Sequence, residues 1–201
     1  MLKQQVLLIH GGDTFKKHKE YIDFLKSFEI DLDKFRKSGW KDNLQKELGK
    51  NFDVILSQMP NKFNANYDEW KIWFEKILEL MGDNLILIGH SLGGIFLTKY
   101  LSENKVNKKI KATILVAAVF DETGESLANF KLPKSLLSFS KQCKNIFLIQ
   151  SKDDMLVPFN QVEKYKNALP KAKVVMFEGR GHFNQEKFPE MVELIKKINE
   201  K

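Results

Sequence analysis

The sequence predicts an α/β fold, a mostly parallel sheet of about six strands with helices on both faces. Three observations carry this. Short runs are apolar at consecutive positions, as strands are when both faces are covered. Between them lie segments with apolar residues at 3.6-residue spacing. The two kinds alternate along one chain of 201 residues, a length that suits a single domain, 1–201.

The predicted strands are 5–9, 53–57, 85–89, 112–119, 145–150 and 173–177. Trp70, Trp73, Phe74, Ile77, Leu78 and Met81 mark one helix, and Leu92, Ile95, Phe96, Tyr100 and Leu101 mark a second. Met191, Leu194, Ile195 and Ile198 mark the last. Two segments depart from the alternation. Residues 16–37 form a charged amphipathic stretch with Tyr21, Phe24, Leu25, Phe28, Ile30, Leu32 and Phe35 as apolar teeth. Residues 120–142 form a long connection before the fifth strand. Both follow the carboxyl end of a strand, where ligands bind in such sheets, so both are placed to cover a site.

Composition excludes several classes. At 43% hydrophobic and 11% aromatic, the chain is globular and not disordered. No apolar run approaches the roughly 18 residues of a membrane span. The start, MLKQQVLLIHGG, lacks a long apolar region and a small-residue cleavage site, and reads as a first strand. Cys143 stands alone, which forbids an intrachain disulfide and suits a reducing, cytoplasmic setting. The net charge of +7 invites a nucleic-acid partner, but only Arg36 and Arg180 among the 33 basic residues are arginine, and the lysines are scattered. Such a chain lacks the planar forks that read phosphates and base edges, so no nucleic-acid or membrane partner is expected.

The chemistry is carried by Leu85-Ile86-Leu87-Ile88-Gly89-His90-Ser91-Leu92-Gly93-Gly94. A serine between two glycines stands where a buried strand ends and a helix begins, the context of a nucleophile elbow. The sharp turn lifts Ser91 above the sheet edge, leaves no space for side chains two residues either side, and sets the hydroxyl at a helix N-terminus that favours negative charge. Such a hydroxyl needs a base. His18 lies in a charged surface segment, His90 points away from the serine, and His10 orders its own loop. His182, in Gly179-Arg180-Gly181-His182-Phe183 after the last strand, is downstream and at the carboxyl edge, and is the predicted base. An orienting carboxylate follows from Ser151-Lys152-Asp153-Asp154-Met155-Leu156-Val157-Pro158. Asp154, first in D-x-x-V-P, is preferred, with Asp153 as the alternative. The Leu92 N–H supplies one oxyanion donor. The loop His10-Gly11-Gly12-Asp13 supplies the second, assigned to Gly12 with Gly11 or Asp13 as one-residue alternatives.

These motifs resemble the α/β-hydrolase superfamily, and most nearly its small YdeN-like and retinoblastoma-binding-protein-nine-like serine hydrolases. The likeness rests on HGG after the first strand, Met59-Pro60 after the second, Trp70, GHSLGG, SKDDMLVP and GRGHF, and it spans most of the chain. It implies a minimal α/β-hydrolase fold and a Ser91–Asp154–His182 triad with the second aspartate of the pair as its acid. The histidines have no ligand spacing and there is no Gly-rich phosphate loop, so no metal and no cofactor is expected. The insertion at 16–37 departs from the family, and the L-x-C-x-E motif is absent, so no retinoblastoma-type partner is implied. The expected activity is hydrolysis of small or medium acyl esters, in a pocket lined by Phe120, the 127–137 connection, Met155 and Phe183, with Asn64 and Tyr67, just past Met59-Pro60, also facing the site. The rival is a protein-interaction module on the same fold, docking through 16–37 to a partner that the sequence leaves unknown.

Overall fold

Leu7 and Ile9 pack on one face of a sheet while Val6 and Leu8 pack on the other, which is why the first strand is apolar at consecutive positions. The computed structural model describes residues 3–122 and 126–200; residues 123–125 of the long connection and the side chains of Lys34 and Phe35 lie outside the described residues. The strands are β1 (Gln4–Ile9), β2 (Phe52–Ser57), β3 (Leu85–His90), β4 (Ile110–Val116), β5 (Ile146–Ser151) and β6 (Lys173–Phe177). They form one six-stranded sheet in the order β2-β1-β3-β4-β5-β6, parallel at every pairing. The expected parallel sheet of about six strands is therefore the observed one.

Helices cover both faces. Helices α1 (His18–Ser27) and α2 (Leu32–Arg36) form the insertion, and α3 (Trp40–Leu48) and α8 (Pro189–Asn199) pack on the face of Val6 and Leu8. Helices α4 (Tyr67–Leu80), α5 (Leu92–Glu103), α6 (Leu137–Gln142) and α7 (Asn160–Ala168) pack on the other. The Asn66 side chain caps α4 by accepting from the Asp68 and Glu69 N–H groups. Among the described residues, no helix is long and apolar enough to cross a membrane.

One strand ends early. Expected to run to residue 119, β4 stops at Val116 because Ala117 turns left-handed, with φ 45°. The turn carries Ala118 over α5, where a Cβ on Gly94 would lie 2.4 Å from the Ala118 Cβ. The strand order places the reversal of connection between β1 and β3, and a crevice opens at the carboxyl ends of strands at such a reversal.

Candidate active site

β3 is buried along its whole length between β1 and β4, and Ser91 follows it directly. Ser91 adopts φ 54° and ψ −119°, a strained conformation for a residue with a side chain. Two bonds hold it: the Ser91 N–H donates to the Val116 carbonyl at 2.9 Å, and the Gly94 N–H donates to the Ser91 carbonyl at 2.9 Å. The flanking glycines are steric necessities. A Cβ at Gly89 would sit 2.4 Å from the Gly93 carbonyl oxygen, and one at Gly93 would sit 2.4 Å from that of Ile9. Gly93→Ala is expected to destabilise the fold by about 3 kcal/mol or more, because backbone and not a yielding side chain blocks the methyl group. Thermal unfolding would show this as a Tm lower by about 6–12 °C.

The loop after β6 brings His182 to the same rim. His182 Nδ1 lies 2.9 Å from Asp154 Oδ2, with the carboxylate buried and the ring mostly so. Asp154 is fully used: Oδ1 accepts from the Leu156 and Val157 N–H groups, each at 2.9 Å, and Oδ2 also faces Gln150 Nε2 at 3.4 Å. A carboxylate accepts, so Nδ1 carries the ring hydrogen and Nε2 keeps its lone pair. Among the described residues no hydrogen bond joins the Ser91 hydroxyl to His182, but both border one cavity.

Asp153 does different work. Oδ1 accepts from the Gly179 N–H at 3.0 Å and from the Ser151 hydroxyl, and Oδ2 accepts from the Gly181 N–H at 3.2 Å. Gly179 and Gly181 have φ of 77° and 49°, the left-handed region that turns these N–H groups inward. The Ser151 hydrogen bond holds the Asp153 carboxyl below the usual range. Asp153 thus anchors the loop that carries His182, while Asp154 touches the ring.

Two further histidines brace the site. His90 is buried, and its Nε2 lies 2.9 Å from the His182 carbonyl. A carbonyl only accepts, so Nε2 donates and Nδ1 faces the Lys41 ammonium at 3.3 Å. Burial, then the Lys41 charge, keeps His90 from taking a proton until well below the usual range. His10 accepts from the Met59 N–H at Nε2, at 3.0 Å, and its Nδ1 faces the Gly11 carbonyl at 2.5 Å. Burial lowers its proton affinity also. Pro60 accepts from Trp70 Nε1 at 2.8 Å, so HGG, Met59-Pro60 and Trp70 form one braced unit. The structural work of His90 was not legible from the motif, whose spacing marks only the serine.

The first-strand loop lies against Ser91. A Cβ on Gly11 would be 3.1 Å from the Ser91 Cβ, and one on Gly12 would be 2.6 Å from the Lys62 carbonyl oxygen. Asp13 commits its N–H to the Lys62 carbonyl at 2.8 Å, which removes it as an oxyanion donor. Among the described residues, the N–H groups of Gly12 and Leu92 give no hydrogen bond to a backbone carbonyl.

The cavity has a volume of about 510 Å³, and loops from all six strands contribute to its wall. Its lining differs from expectation. Leu127 of the long connection reaches it, but Phe120, Met155, Phe183, Asn64 and Tyr67 do not. Phe120 turns its ring edge-on to Tyr165 at 5.0 Å, and Met155 points to solvent at 91% exposure. Phe183, with φ 53°, is driven into the core against Phe188 at 5.2 Å. Tyr67 is buried against Phe96 and Phe130, with its hydroxyl 3.2 Å from Glu103. Asn64 closes the short helical turn Lys62–Asn64 and stays outside the wall. Lys62 and Phe63 of that turn, together with Lys41, Gln58 and Asn184, take the places left, so the wall is more polar than the sequence suggested. No group of three or more potential ligand residues is placed to hold a metal ion among the described residues.

The insertion reaches this rim. Phe15, Phe24 and Phe28 meet in sequence with tilted rings, and Phe28 meets the cavity-lining Phe63 at 6.1 Å between ring centres.

The chain is 26% identical over 162 residues to serine hydrolase RBBP9 of Rattus norvegicus, covering 80% of this chain and 86% of that one. It is 26% identical over 154 residues to YdeN of Bacillus subtilis (strain 168), covering 72% and 77%. The crystal structure of the ydeN gene product from B. subtilis shares the fold with a TM-score of 0.75 at 20% identity, covering 99% of this chain and 100% of that one. The model of the serine hydrolase family matches residues 33–197, from the end of the insertion to the last helix, and the chain belongs to that family.

Proposed function

We propose that the protein hydrolyses small or medium acyl esters through an acyl-enzyme, with Ser91, His182 and Asp154 as a triad. The single observation that carries this is the 2.9 Å bond from His182 Nδ1 to Asp154 Oδ2, made beside the cavity that the strained Ser91 also borders. Ser91 Oγ attacks the acyl carbonyl and its proton passes to His182 Nε2. Asp154 holds the ring hydrogen on Nδ1 and stabilises the imidazolium that forms. The Leu92 and Gly12 N–H groups bind the oxyanion. The alcohol then leaves with the proton from Nε2, and water, deprotonated by the same nitrogen, releases the acid. The chain's own residues supply every step, and the partner is a small acyl substrate. The cavity volume suits such a ligand. We take the insertion as a cap on the rim, supported by the Phe28–Phe63 contact.

A fluorophosphonate probe tests this reading. Labelling of the wild-type chain that vanishes in Ser91→Ala is the expected result. No labelling, together with no turnover of p-nitrophenyl esters, would sink it in favour of the interaction module.

A further inference from the structure

We propose that the cavity selects esters that carry a carboxylate, bound by the ammonium groups of Lys41 and Lys62. This deepens the serine-hydrolase reading and rests on it.

Lys41 lies on α3 and Lys62 after β2, and both line the cavity that Ser91 borders. Lys41 is half-buried, with Nζ 3.3 Å from His90 Nδ1 and 5.7 Å from the centre of the Trp40 ring. Among the described residues, that histidine nitrogen is its one hydrogen-bond acceptor, and an ammonium has three hydrogens to place. Lys62 holds its ammonium 5.0 Å over the Phe63 ring and gives it no acceptor among the described residues. Neither ammonium has a carboxylate within 4.0 Å there. Two aspartates also line the cavity. Asp42 is directed at the start of α3, where Oδ2 accepts the Gly39 N–H at 2.8 Å, and Asp13 belongs to the oxyanion loop.

The charges around this wall oppose one another. Lys41 and Lys62 each lower the proton affinity of His10, Lys62 lowers that of Lys41, and Lys41 lowers that of His90. Lys62 is exposed, while Lys41 is half-buried with no carboxylate in contact with its ammonium among the described residues, so a substrate carboxylate would offset the cost of that partial burial. Ester hydrolysis itself needs no such group, because the oxyanion has its own donors. The lysines therefore bear on which ester is taken.

Burial lowers the Lys41 pKa to about 8 against the opposing pull of Asp42, with Lys62 adding to the lowering. Lys41 is charged below that pH and neutral above it. The titratable and charged groups that share its cavity are Asp42 on its own helix, His10 and Asp13 after β1, Lys62 after β2, His90 at the end of β3 and His182 after β6.

Two matched ester pairs test the inference. One is the p-nitrophenyl monoester of adipic acid against its methyl-capped form, with the charge on the acyl side. The other is 4-carboxyphenyl hexanoate against its methyl-capped form, with the charge on the leaving group. The pair that shows the preference locates the carboxylate. We expect kcat/KM to favour the charged member of one pair by about ten- to a hundredfold at pH 7. In Lys41→Met and Lys62→Met that ratio should fall by about tenfold each. Lys41→Gln serves should the methionine disturb His90. The wild-type ratio should also fall as pH climbs through about 8. Ratios near one in both pairs, with fluorophosphonate labelling of Ser91 intact, overturn the carboxylate inference and leave the hydrolase reading standing. Ratios that survive both lysine substitutions overturn it as well. Loss of both labelling and turnover in the wild-type chain brings down the hydrolase reading, and this inference with it.

Discussion

Ser91→Ala is expected to lower kcat for a p-nitrophenyl ester by about 10⁵–10⁶-fold. The covalent step has one oxygen to work through, and alanine removes it while leaving the elbow in place. Alanine at φ 54° is strained as serine is, and among the described residues the Ser91 hydroxyl makes no hydrogen bond that folding depends on. Tm should therefore move by no more than about 2 °C, so that lost activity reports chemistry and not unfolding. Any turnover that survives reports substrate binding and the oxyanion donors alone. A loss of less than tenfold in a folded Ser91→Ala chain would remove Ser91 from the mechanism.

Asp154→Asn should cost about 10⁴-fold in kcat/KM, against about tenfold for Asp153→Asn. The difference comes from what each carboxylate faces. Asp154 Oδ1 receives two backbone N–H groups, so an asparagine there keeps its oxygen on that side and turns its NH₂ toward His182. The ring must then present a lone pair at Nδ1 and carry its hydrogen on Nε2, which disables Nε2 as a base. Asp153 receives the N–H groups of Gly179 and Gly181 and touches no part of the imidazole. Its amide form loosens the His182 loop and leaves the tautomer alone. Steady-state kinetics on the two folded variants decide the matter, and the reverse ranking would exchange the two roles.

The parts of the fold legible in the sequence were those with local causes. Each of the six apolar runs fell on a strand, and in β1, β3, β4 and β5 burial on two faces leaves that mark without help from distant residues, while the edge strand β6 is partly exposed. The serine elbow was legible because Gly89 and Gly93 bracket Ser91 at fixed spacing and Gly89 answers to the Gly93 carbonyl within the same turn. The cavity wall was not legible, and the misses share a cause. Val119, Leu156 and His182 line it, while their neighbours Phe120, Met155 and Phe183 turn elsewhere. In irregular loops no period says which of two adjacent side chains faces inward. At Asp154 the turn is set by N–H groups closing on Oδ1, and at Phe183 by a left-handed backbone. Lys41 left no mark at all, since its place depends on how α3 docks against the loop after β6. Trp40 makes that docking by donating Nε1–H to the Phe183 carbonyl at 2.8 Å.

The bracing of His10 and His90 has a consequence for life in acid. Both rings spend their two nitrogens on fixed neighbours and resist protonation. They behave as uncharged rivets, so mild acidification leaves the scaffold that holds the His182 loop undistorted by new positive charge.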